Sequence, residues 1–139
     1  MANGFYQYGM QEWAKGNVAW RAAGGSTIHC YLVDTADYAV DLATHQFLAS
    51  VAAAAREEGP ATLTLIDAAL DGVVDANDIT FVGATGDPCE ALILLRNVTS
   101  AADSPLLIYL DTATGLPVTP NGGDINVNWD NGANKIAKI

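Results

Sequence analysis

At 139 residues, half of them hydrophobic and only 16% charged, the chain is long enough for one domain that buries roughly two-thirds of the surface its unfolded form exposes. Sixteen acidic residues against six basic ones give a formal charge of -10, so phosphate repulsion argues against direct binding to nucleic acid. There is no run of 18 apolar residues, and the start, MANGFYQYGM, has no basic segment followed by an apolar one; the expectation is no membrane span and no secretory leader, in a protein folded in a reducing cytoplasm.

Residues 1–20 hold five of the eleven aromatics, Phe5, Tyr6, Tyr8, Trp13 and Trp20. Tyr6, Met10 and Trp13 stand at i, i+4 and i+7, which predicts a short helix ending at Gly16. The segment reads as an N-terminal arm or short helix ahead of a single β domain over 21–139. Phe5, Tyr6, Tyr8, Met10, Trp13 and Trp20 are candidate interface residues, because Tyr and Trp supply much of the anchor energy at protein interfaces; the other reading is that they cover one end of the core.

Thr27–Val33 follows a Gly-Gly-Ser turn and reads as the first strand. Phe47, Leu48 and Val51 keep helical spacing within an alanine-rich run, so a short helix is expected over His45–Ala55, capped by Asp41 or Thr44 and stopped by Glu57-Glu58-Gly59-Pro60. Leu63 and Leu65 alternate with Thr62 and Thr64 in a strand over Ala61–Ile66. Val73-Val74 is a very short strand, Asp75–Asp78 a tight turn, Ile79–Val82 a strand, Gly83–Pro88 a loop and Ala91–Val98 a buried strand. Leu106–Leu110 is an aliphatic strand. Ile125, Val127 and Trp129 alternate with polar residues, and the glycines and prolines between these two runs imply a long ordered loop. Asn131-Gly132 signals a type I′ hairpin before a closing strand over Lys135–Ile139. Seven or eight short strands with turns about every ten residues predict a mainly β fold, an antiparallel β-sandwich or barrel-like domain with one or two short helices.

The residues that carry chemistry elsewhere are sparse here. Asp67, Asp71, Asp75, Asn77 and Asp78 fail the calcium-loop pattern for want of a twelfth-position Glu and read as turn formers. His29 and Cys30 fall on opposite faces of one strand, a poor start for zinc. His45 lies four residues after Asp41, which suggests a local pair on a helix. Cys30 and Cys89 sit in apolar runs and read as buried reduced thiols, with a disulfide left open. There is no Gly-x-Ser-x-Gly, no Walker lysine and no three-glycine spacing. No catalytic, cofactor or metal residues are expected, and no enzyme.

Three stretches do carry a resemblance: Tyr31–Tyr38 (YLVDTADY), Asp41–His45 with Phe47-Leu48, and Asp111–Asp124 (DTATGLPVTPNGGD) with Trp129–Asn134 (WDNGAN). They resemble a family of small virion proteins of tailed bacteriophages, and the likeness runs from about Gly4 to Ile139, with Cys30 and Cys89 as departures. The resemblance implies a structural protein, with capsid decoration (cement) favoured. Its partners would be the major capsid protein and itself, as a trimer or else a dimer, and it would lie on the capsid exterior after assembly in the host cytoplasm. A tail, collar or head-closure component is the alternative within the virion. A carbohydrate-binding module of a host-recognition fibre, with Trp129 or Trp20 as an exposed stacking platform, is the alternative of another class.

Overall fold

The computed structural model describes residues 3–69, 71–133 and 135–139, so Met1 and Ala2 of the expected arm, Leu70, and Asn134 at the end of the resembling segment lie outside the described residues. The chain folds as a mainly β, sandwich-like domain of antiparallel sheets, with one α-helix and two short 3₁₀ turns among the described residues. Five strands form the principal sheet: β1 (Gly4–Phe5), β2 (Ile28–Val33), β3 (Arg56–Thr62), β7 (Ala91–Arg96) and β8 (Leu106–Leu110), in the order β1-β8-β7-β2-β3. Two smaller sheets are built from β4 (Leu65–Ile66), β5 (Val73–Ala76) and β10 (Ala137–Lys138), and from β6 (Ile79–Phe81) and β9 (Ile125–Val127). The helix α1 (Gln7–Ala14) packs on β8.

The principal sheet is buried on both faces, which explains why β7 reads as an unbroken apolar run, Ala-Leu-Ile-Leu-Leu, rather than an alternation. Ile28, Cys30, Leu32, Leu92, Leu94, Ile108 and Leu110 point to one side, where Leu65, Val74, Phe81, Trp129 and Ile136 of the smaller sheets and their flanks cover them. Val33, Ala91, Ile93, Leu95, Leu106 and Tyr109 point to the other, covered by Tyr6, Tyr38, Leu48, Val51 and Ala55. A β-sheet with one wet face would leave half of these side chains in water. Here irregular chain does the work of a second layer.

The helix expected over His45–Ala55 is instead a pair of 3₁₀ turns, Leu48–Ser50 and Ala53–Ala55. The helical spacing of Leu48, Val51 and Ala55 is still used, since all three are buried, but the backbone is pulled away from a helix. Leu48 and Ala49 donate their N–H groups to Ser104 and Ala101, and Phe47 bridges Pro105. Glu57–Pro60, expected to stop a helix, lies inside β3. Pro60 is tolerated there because β3 is an edge strand. Cys30 pairs with Ala61 and Leu32 with Glu58, so Gly59 and Pro60 together oppose Tyr31 in a bulge. Gly59 takes a φ of 129° with the Cys30 carbonyl and the Tyr31 ring pressed against it, which only glycine permits.

Two further expectations are corrected by topology. The alternation of Leu63 and Leu65, buried, against Thr62 and Thr64, exposed, is as expected, but the run is not one strand: it leaves the principal sheet after Thr62 and enters the second at Leu65. Asn131-Gly132 is not a type I′ hairpin, because neither residue has positive φ and the strands on either side pair elsewhere, β9 with β6 and β10 with β5. A turn signal fixes local chain reversal, not partner choice.

The N-terminal segment is part of the domain rather than an arm. Gly4 and Phe5 pair with Tyr109 and Ile108, Tyr6 donates its N–H to Leu107, and Gln7 donates to Leu42. The expected helix is present as α1, closing at Gly16 with φ 79°. Gly9 lies so close over β8 that a Cβ there would collide with the Leu106 carbonyl and come within 2.9 Å of Leu107 Cα. Alanine favours helix over glycine by about 1 kcal/mol, but overpacking against backbone costs about 1–3 kcal/mol. Gly9→Ala is therefore expected to destabilise the protein, by a lowered denaturation midpoint, where propensity alone predicts a gain.

Candidate interaction surface

Folding places the six candidate interface residues in three different settings. Tyr6 is fully buried in the second core, and its hydroxyl hydrogen-bonds that of Tyr38 at 2.9 Å. Trp20 is 6% exposed; its ring N–H donates to the Asp75 carbonyl at 2.8 Å, and its indole stacks on Trp13 at 6.4 Å. Phe5 meets Trp13 in a T-shaped contact at 6.1 Å. Phe5, Trp13 and Trp20 thus form a ladder that joins β1 to β5 and closes one side of the sandwich. Tyr6 and Trp20 do not offer a docking surface, because the domain uses them for its own core. Met10 is half-buried, and Tyr8, 38% exposed, is the one large side chain of the six that projects into solvent.

Residues of 31–38 and 111–124, far apart in sequence, come together in the fold. Thr35, Tyr38 and Val40 face Asp111, Leu116 and Pro117 across a recess of about 380 Å³, with Tyr109 and Glu90 in its wall. Glu90 accepts hydrogen bonds from the Thr35 N–H and hydroxyl. Beneath the recess, Tyr38 bridges Tyr6 to His45 Nδ1 at 2.8 Å. His45 Nδ1 also accepts the Asp41 N–H at 3.3 Å, which leaves the ring proton of a neutral imidazole on Nε2. Burial raises the Tyr6 phenol, so the network is uncharged at its inner end. The expected His45–Asp41 pairing is real but is made by a turn, not a helix.

The loop between β8 and β9 is ordered, as expected. Val118 and Cys89 exchange N–H···O bonds of 2.8 and 2.9 Å, and Ala84 does the same with Gly122 and Gly123. Residues 112–123 contain no charged side chain, and most of them are exposed. Beside this loop opens a larger cleft of about 690 Å³, bounded by Thr112–Leu116 on one side and Ile125–Asp130 on the other.

The acidic run singled out in the sequence is scattered by folding into backbone acceptors: Asp67 receives the Ala22 N–H and Asp78 the Trp129 N–H, as turn formers do. A different set converges instead. Asp34, Asp37, Glu57 and Asp87 bring carboxylate oxygens within 4.8 Å of one another, with Asp34 only 6% exposed. They come from the loop after β2, from β3 and from the loop before β7, and no spacing in the sequence announces them. Oxygen donors of this kind suit a hard cation.

Both cysteines are buried free thiols. Desolvation pushes Cys30 up, and burial with nearby carboxylates, Glu57 first, pushes Cys89 up to about 12. Neither thiol is therefore expected to react with a disulfide reagent at pH 8 until the protein unfolds, which a thiol titration with and without denaturant measures. The folded values lie above those of the unfolded chain, so the associated stability is complete below the ordinary thiol value of 9.0 and declines as pH rises from there towards about 12.

His29 is half-buried, and burial depresses it. Trp129 is 8% exposed, with its ring N–H bonded to the Asn77 carbonyl. The stacking platform that a carbohydrate-binding module would need is not found at Trp20 or Trp129. Among the described residues no helix is long and apolar enough to cross a membrane. No protein-family model matches the chain, and no curated protein matches it either.

Proposed function

We propose that the protein is a structural component of a tailed-phage particle, a non-enzymatic capsid decoration protein that binds the outer surface of the major capsid lattice and stabilises the shell. The observation that carries this reading is the convergence of two of the resembling stretches, 31–38 and 111–124, around one surface recess bordered by an exposed, uncharged, backbone-pinned loop, with His45 of a third tied to it through Tyr38. A surface of that kind loses little on desolvation and little entropy on ordering, which favours docking onto a large flat partner. The docking face is accordingly the loop side of the domain rather than the N-terminal aromatics, whose rings are largely spent on the core. The acidic balance keeps the domain off packaged DNA.

Purified protein added to expanded capsids of the phage that encodes it, sedimented and counted, tests the reading. Saturation at hundreds of copies per shell is expected. A dozen or fewer would favour a tail, collar or head-closure station, and no binding would overturn a virion role at the capsid.

A further inference from the structure

The larger cleft is shaped as a vacant strand position. Its walls include every residue from Thr112 to Leu116 and every residue from Ile125 to Asp130. Side chains alternate across a strand, so a wall that uses consecutive residues presents backbone edge, not one side-chain face. The floor is a single row across the principal sheet: Leu32 pairs with Leu92, and Leu92 with Leu110. On one wall, β9 pairs with β6 through Ile79–Val127 and Phe81–Ile125. Among the described residues its other edge has no strand partner, and no backbone hydrogen bond joins Ile125–Asn128 to anything but β6. The edge is held rigid at its end, where Trp129 donates its N–H to Asp78 and its ring N–H to Asn77.

The geometry points to this slot as a receptor for an extended peptide segment of another protein, neutral or basic in charge, that adds to β9 as a strand. N–H and C=O groups along an open edge are met by water until another backbone takes them up together as an added strand. Six wall residues at about 3.3 Å each accommodate about five to six residues of such a strand. Within the cleft Asp130 and Lys135 offset each other, so charge selection falls to the whole molecule. Each chain carries a net -10, which repels a second copy and attracts a lysine-bearing segment. The slot is a property of the fold, and its test needs no capsid, so it stands or falls separately from the decoration role.

The test uses two capped peptides of alternating valine and threonine, one flanked by lysines and the other by glutamates, with amide hydrogen exchange of the full chain followed by NMR. The lysine-flanked peptide is expected to slow exchange at Ile125–Asn128 by about tenfold or more, and to lose that effect as salt rises. Thr114→Trp, at an exposed loop position that borders the slot, is expected to abolish protection while leaving the thermal midpoint unchanged. Unaltered β9 exchange with both peptides would overturn the proposal, as would protection that maps to the β1 or β10 edge instead. Equal protection by the glutamate-flanked peptide, or concentration-dependent protection with no peptide present, would overturn the assignment of a non-acidic foreign segment.

Discussion

Trp20→Ala is expected to lower the stability of the domain by about 3–5 kcal/mol, the range for deleting a buried large aromatic. The indole is 6% exposed, stacked on Trp13 and hydrogen-bonded to the Asp75 carbonyl, so its loss removes the ladder that ties the start of the chain to β5 and leaves a carbonyl without its donor. At a urea m-value of about 2 kcal/mol/M the midpoint falls by about 2 M, a shift that circular dichroism resolves. The same physics applies to deletion of residues 1–20, which strips β1 and α1 from β8 and is expected to leave the rest unable to fold cooperatively. A Trp20→Ala protein as stable as wild type would return the aromatics to the role of surface anchors.

The second large effect concerns the two-faced sheet. Ile93→Ala and Leu94→Ala are each expected to cost about 2–5 kcal/mol, because neighbouring residues of β7 point into different cores and both are fully buried. In an ordinary sandwich one face of each sheet meets solvent, and one of the two substitutions would be nearly neutral. Parallel urea titrations of the two variants decide it: a cost confined to Leu94 would mean that the 34–55 segment does not seal the second face.

Much of this architecture was legible beforehand because it depends on local pattern. The aliphatic pattern marks Leu106–Leu110 with its observed ends, and the strands at 28–33, 79–81 and 91–96 within one or two residues, since aliphatic runs bounded by turn residues leave few alternatives. The ordered β8–β9 loop and the buried thiols followed in the same way. The failures came where long-range partners outweighed propensity. His45–Ala55 has the composition and spacing of a helix, but hydrogen bonds to Ala101 and Ser104 hold it as 3₁₀ turns. Gly59-Pro60 reads as a stop, yet serves as an edge-strand bulge. Asn131-Gly132 reads as a hairpin between two strands that belong to different sheets.

The candidate site divides along the same line. Sequence could nominate the aromatics, since residue type alone suggests an anchor, but not whether the domain would consume them. It did not expose the vacant position beside β9, which depends on how β8, β9 and β2 are juxtaposed, nor the four carboxylates gathered from β3 and two loops. What the sequence by itself determined is the class of the fold, its antiparallel strands, its acidic balance and the long uncharged loop, because these follow from period, turn chemistry and charge. What only tertiary structure decided is which strands pair, which aromatics reach solvent and which edge is left open, because pairing and burial are set by contacts between residues distant along the chain.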